Sequence, residues 1–194
     1  MNDYKINGIG KFNGGEFDDV LINGISTLHG NLDCMNLKVN GSISSNGIVK
    51  VKNGIYINGS AKFKENVKCH TLSLDGSIKC LKSIEAEDVK ICGFLTVEEE
   101  MNVGNIEFHS ARFSIRELHA DTIKINDVHK IRSLNKMYEI GEIECTNIDA
   151  ESLKCKRIFA SNVKLGKNAN VELVEYSETV DIDPRATVKE VRKV

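Results

Sequence analysis

Apolar and polar residues alternate in short bursts along this chain, and the bursts return on a fixed schedule. One apolar column runs through Tyr4, Val20, Leu37, Ile55, Leu72, Val89, Ile106 and Ile123. A second lies two residues on, at Ile6, Ile22, Val39, Ile57, Leu74, Ile91, Phe108 and Ile125. Two residues further stand Gly8, Gly24, Gly41, Gly59, Gly76 and Gly93, then Ser110 and Asp127. The steps between copies are 16, 17, 18, 17, 17, 17 and 17 residues. Self-similarity at so steady a period marks a repeat architecture.

Each copy subdivides. Between Leu72 and Val89 the apolar or small residues pair as Leu72/Leu74, Ile78/Cys80 and Ile84/Ala86, and the next copy gives Val89/Ile91, Leu95/Val97 and Met101/Val103. A spacing of i, i+2 places both members on one side of a strand. One unit therefore predicts three short strands, each with a single inward face, joined by corners. The fold class that follows is all-β: a single-stranded parallel β-helix (β-solenoid), triangular in cross-section. It has about 17 residues per turn, with turns stacked about 4.8 Å apart. Parallel crossovers favour the right hand. The third face supports this reading, because Phe17, Cys34, Val51, Cys69, Ala86, Val103 and Ala120 share a column. Asn-Gly or Asp-Gly at 7–8, 23–24, 40–41, 58–59 and 75–76 supplies backbone freedom for sharp corners. The same dipeptides fit a meander of hairpins, the structural alternative.

The regular solenoid is expected over residues 1–127, followed by an irregular connection over 128–142. In the connection Val128, Ile131, Leu134 and Met137 step by three, which suits a short helix or irregular strands. Over 143–175 the pairs Ile143/Cys145, Ile148/Ala150, Leu153/Cys155, Ile158/Ala160 and Val163/Leu165 recur every five residues, predicting tighter turns of about 15 residues. Residues 176–194 read as a C-terminal tail or cap, with Val180/Ile182 before Pro184.

Composition narrows the chemistry. The 194 residues carry 26 Lys and Arg against 28 Asp and Glu, with no Trp and one Pro. This near-neutral balance argues against nucleic acid as a partner. No apolar run reaches the length of a membrane span, and the opening MNDYKING lacks the pattern of a signal segment, so the expected location is the cytoplasm without direct membrane insertion. The six cysteines show neither C-x-x-C nor zinc spacing and read as small buried hydrophobes. No metal, cofactor or catalytic residue is expected. His29, His70, His109, His119 and His129 fall at or beside corners, and Glu98–Glu100 reads as solvated surface. A left-handed coil acyltransferase is the enzyme alternative, although such enzymes keep a strict six-residue step. A non-polymerising binding module using a flat face is another alternative.

A coil has two ends, each with unpaired backbone and a bare apolar cross-section. Tyr4 and Ile6 join the columns at once, and Val188, Val191 and Val194 lie in a charged segment at the other end. The candidate polymer interface is therefore Tyr4, Ile6, Phe12 and Phe17 with Val188 and Val191, through which the chain would bind copies of itself. The φ-x-φ-x-G column (φ, an apolar residue), the opening INGIGKFNGGEFDDVLINGISTLHGN, the stretch SLNKMYEIG and the tail VEYSETVDID resemble the bactofilins, the polymer-forming bacterial cytoskeletal proteins. That resemblance covers nearly the whole chain. It implies a right-handed β-helix and non-polar, nucleotide-independent filaments assembled through the solenoid ends. These would be scaffolds for cell shape, envelope or motility structures, with proteins of those structures as further partners.

Overall fold

The computed structural model describes residues 2–126 and 138–194. The stepping residues Val128, Ile131 and Leu134, with Met137 and His129, lie outside the described residues. Ten strands follow in order: β1 (Tyr4–Ser45), β2 (Val49–Phe63), β3 (Val67–Lys68), β4 (Thr71–Cys80), β5 (Ile84–His109), β6 (Arg112–Asn126), β7 (Tyr138–Ala150), β8 (Lys154–Leu165), β9 (Asn170–Ile182) and β10 (Thr187–Lys193). Every pairing between these strands is parallel, and no helix occurs among the described residues. Several strands bend around corners, so that β1 alone runs 42 residues. The fold is the parallel β-solenoid that the alternation predicts, and the parallel ladders exclude the hairpin meander.

Register carries the sequence columns into space. Leu37 pairs with Ile55, Ile55 with Leu72 and Leu72 with Val89. Val39, Ile57, Leu74 and Ile91 line up the same way. All eight of these side chains are buried, as are Ile78, Cys80, Ile84 and Ala86 on the other two faces. β-Branched residues dominate the inward positions because a pleated surface between two close neighbours restricts the side chain little further. Each buried aliphatic side chain contributes about 1.5–3 kcal/mol. Most of that is offset by backbone ordering, so a rung, one circuit of the three faces, holds only when stacked on others.

The glycine column has a second cause beyond corner geometry. Gly24, Gly41, Gly59, Gly76 and Gly93 all adopt φ between +120° and +144°. A Cβ on any of them would lie 2.0–2.2 Å from the carbonyl oxygen of the glycine one rung before. The stack is thus too close at this corner for any side chain. Where glycine ends, Ser110 and Ser152 take over at φ 46° and 54°.

The second half departs from the sequence expectation in three places. Residues 138–142, assigned to the irregular connection, belong to β7, where Tyr138 pairs with Phe113 and Ile140 with Ile115. The tight 15-residue step occurs between β7 and β8, where Ile148 pairs with Val163. It then relaxes, since Val163 pairs with Val180 across a register shift between Ala160 and Asn162. Segment 176–194 is neither a loose tail nor a fold-over cap. Val180 and Ile182 close β9, Pro184 sits in a corner, and β10 pairs in parallel with β9 as a further rung.

Three substitutions test this architecture. Gly76→Ala, which drives a methyl into the Gly59 carbonyl, is expected to lower stability by about 3 kcal/mol or more. Gly8→Ala, strained in φ but facing open space, should cost about 1 kcal/mol. Thermal melts followed by circular dichroism check the order. Ile91→Asp, which buries an unpaired carboxylate at a fully enclosed position, is expected to abolish the cooperative transition.

Candidate assembly surfaces at the two ends of the coil

The first rung is built from three aromatic rings. Tyr4 stacks on Phe12 with centroids 4.8 Å apart and planes at 27°, and it tilts against Phe17 at 5.2 Å and 46°. Ile6 completes the patch. Phe12 is buried, whereas Tyr4, Ile6 and Phe17 are half-buried although they occupy inward columns. The other inward positions of this rung are glycines. Gly14 lies against Asn31, which sets Gly15 under Leu32, and Gly24 on Gly8 sets Gly10 under Ser26. At the adjoining corner Ile9 is 87% exposed and Ile25 56%. In front of Gly8, nothing lies within 4 Å of the Cβ position that other glycines of the column fill with a carbonyl.

The last rung is aliphatic. Val180, Ile182, Ala186 and Val188 are half-buried, and Val191 is 43% exposed. Val188 pairs with Val171 and Val191 with Val174, both of which are fully buried one rung inward. Burial therefore falls within one rung at each end. Lys193 stands in an inward column, paired with Tyr176. The first corner of this rung is held by Arg185, whose Nε and Nη2 donate to the two carboxylate oxygens of Asp183 at 2.9 and 2.7 Å. That guanidinium holds the Asp183 carboxyl well below its usual range.

The four N-terminal residues singled out from the sequence thus form one patch, and Val188 and Val191 lie at the opposite end. The sequence reading missed Val180, Ile182, Ala186 and Lys193 as partners of these two. Continuing the i, i+2 pairs past Pro184, as Ala186/Val188 and Val191/Lys193, would have found the rung.

The remaining candidates are scattered. His29 contacts Asn46, His109 contacts Glu107 at 3.2 Å, and His119 approaches Glu144 at 3.5 Å. His119 is not at a corner: it points outward from mid-strand between Leu118 and Ala120. His70 borders an open groove of about 430 Å³ floored by Val51, Cys69 and Ala86 and flanked by Lys50 and Lys68. Glu98 and Glu99 bridge to Lys79 and Lys82 of the preceding rung, both at 2.7 Å. Among the described residues no three His, Cys, Asp or Glu side chains cluster as metal ligands, and no helix is long and apolar enough to cross a membrane.

Four of the six cysteines are buried and Cys145 is half-buried. Burial pushes the thiols of Cys34, Cys69, Cys145 and Cys155 up to about 12 and that of Cys80 up to about 11. Cys92 is exposed. Near pH 8 a maleimide is expected to label one thiol per folded chain rapidly, at Cys92, and all six only after denaturation; mass spectrometry reads both counts.

No protein-family model matches the chain, and comparison with curated proteins and with solved structures likewise finds no similar protein.

Proposed function

We propose that this chain is a non-enzymatic structural scaffold whose copies join end to end through the terminal rungs of the coil, in a contact that needs no nucleotide. The observation that carries the reading is the loss of burial within one rung at both ends. Aromatic side chains at Tyr4 and Phe17 and aliphatic ones at Val188 and Val191 occupy core columns yet remain half-exposed or exposed. The remedy that every internal rung receives, another rung, is the one a second copy supplies. Apolar exposure of this kind, bordered by unpaired strand edges, is a template for association. The open space in front of Gly8 is the shape that a preceding carbonyl occupies elsewhere in the column. The resemblance to bactofilins points the same way, toward a cytoplasmic polymer organising cell shape, envelope or motility structures.

The purified protein is expected to form filaments visible by negative-stain electron microscopy and to scatter light above a threshold concentration. Tyr4→Arg should keep the β-sheet spectrum and melting behaviour while raising that threshold by more than about tenfold, as for a central interface residue. Wild-type protein that stays monomeric at high concentration and low salt contradicts the proposal.

A further inference from the structure

We infer that the third face carries a docking surface for another protein, an extended Lys- or Arg-bearing segment laid across β6, β7 and β8. Two of its cationic side chains, two residues apart, settle on either side of Glu144. These strands lie away from both ends of the coil, so the inference does not depend on end-to-end joining.

The first observation is an aromatic ring out of place. Phe159 stands in an outward column of the third face, where the neighbouring rungs carry His119, Glu144 and Glu175. It is 40% exposed and lies in register between the two glutamates. The core does not need it, because Ile158 and Ala160 on either side of it already fill the inward positions. A phenyl ring left in water forgoes the gain of burial. A cation brought over its face is attracted by the ring and by the flanking carboxylates together.

Two hollows flank the ridge of His119, Glu144 and Phe159, which lines both. The smaller, about 240 Å³, opens over Ile143 between Glu142 and Arg157. The larger, about 410 Å³, is floored by Val103, Ala120 and Cys145 and bordered by Asp121. It exists because the inward residue at this point of each rung is small, so the surface sinks between the ridge and the corner. Both hollows are open along their length, a shape that takes single side chains of something laid across the face rather than enclosing a small molecule.

Charge selects the occupant. Glu142 and Asp121 enter no ion pair among the described residues, and Glu144 has only His119, at 3.5 Å. Arg157, the cation lining the smaller hollow, is already engaged: its Nε donates to Oε2 of Glu175 at 2.7 Å. Uncompensated carboxylates beside an exposed ring attract a basic segment and repel nucleic acid or an anionic membrane. Spacing adds a second requirement. Ile143 and Cys145, at the bottoms of the two hollows, stand two residues apart on β7, about 6.6 Å. An extended segment laid alongside β7 has its own i, i+2 side chains on one side at that spacing. One cation then meets Glu142 and the other Asp121, with Glu144 between them. A rung of a second copy has the same spacing, but its neighbouring rungs, about 4.8 Å away, bring their outward side chains against Phe159 and His119 first. A free segment has no such neighbours.

The probe is a fluorescent peptide carrying Arg-Ser-Arg in a glycine–serine background, followed by anisotropy at low salt. Saturable binding is expected. Phe159→Ser and Glu142→Gln should each weaken it by about tenfold, with melting curves unchanged because both side chains point outward. A peptide with adjacent arginines should also bind about tenfold more weakly. Glu139→Gln, on the second face, should leave binding within about twofold of wild type. No saturable binding, equal binding of the two peptides, or an undiminished Phe159→Ser variant overturns the inference. So does a loss in Glu139→Gln as large as in Glu142→Gln, which marks charge without a site. Spermidine that displaces the peptide as well as unlabelled peptide does overturns a protein segment as the occupant. Side-by-side association of the protein alone that Glu142→Gln abolishes assigns the face to a second copy, and overturns it too.

Discussion

Everything in this molecule follows from the fact that an inward pair of side chains on a single rung cannot hide itself. Leu72 and Leu74 are covered because Ile55 and Ile57 lie on one side of them and Val89 and Ile91 on the other. The hydrophobic effect therefore acts between rungs, along the axis of the coil, and stability is a sum of neighbour contacts. Such a sum has no natural end. The first and last rungs each have one neighbour where every other rung has two, and their apolar side chains are exposed to match.

The polar surface obeys the same axial logic. Asn23 donates to Asn7 at 3.0 Å and Asn40 to Asn23 at 2.9 Å, forming a ladder beside the glycine corner. Asn36 reaches Asp19, and Asn105 reaches Asp88, one rung apart each time. Exposed ion pairs such as Lys82–Glu99 and Lys189–Glu172 bind adjacent turns. Each such pair is worth roughly 0–1 kcal/mol, so they set register and spacing more than they hold the rod together.

The solenoid was legible because its two periods are strict. Pairs at i, i+2 gave the strands, and the 17-residue step gave the stack without any reference to distant contacts. Boundaries were harder. Tyr138 and Ile140 were read as irregular because the 25-residue step from Ile123 to Ile148 breaks the register on which column counting depends. The last rung was read as a tail because Pro184 interrupts the strand pattern, yet a proline costs nothing at a corner, where φ is bent and no ladder hydrogen bond is needed. The glycine column was assigned to corner flexibility, while the approach of a carbonyl to about 2 Å from each Cβ position could be seen only in three dimensions. The N-terminal candidates were picked from their place in the columns; that Tyr4, Phe12 and Phe17 would form one ring cluster required the coil to be closed first.

The central claim is that the terminal rungs are core left uncovered until another copy arrives. Hydrogen–deuterium exchange of the native protein as a function of concentration tests this most directly. Amides of residues 4–17 and 180–193 should exchange quickly in dilute solution and become protected as concentration rises, while those of residues 55–97 stay protected throughout. Terminal amides whose exchange does not change with concentration, fast or slow, would contradict it.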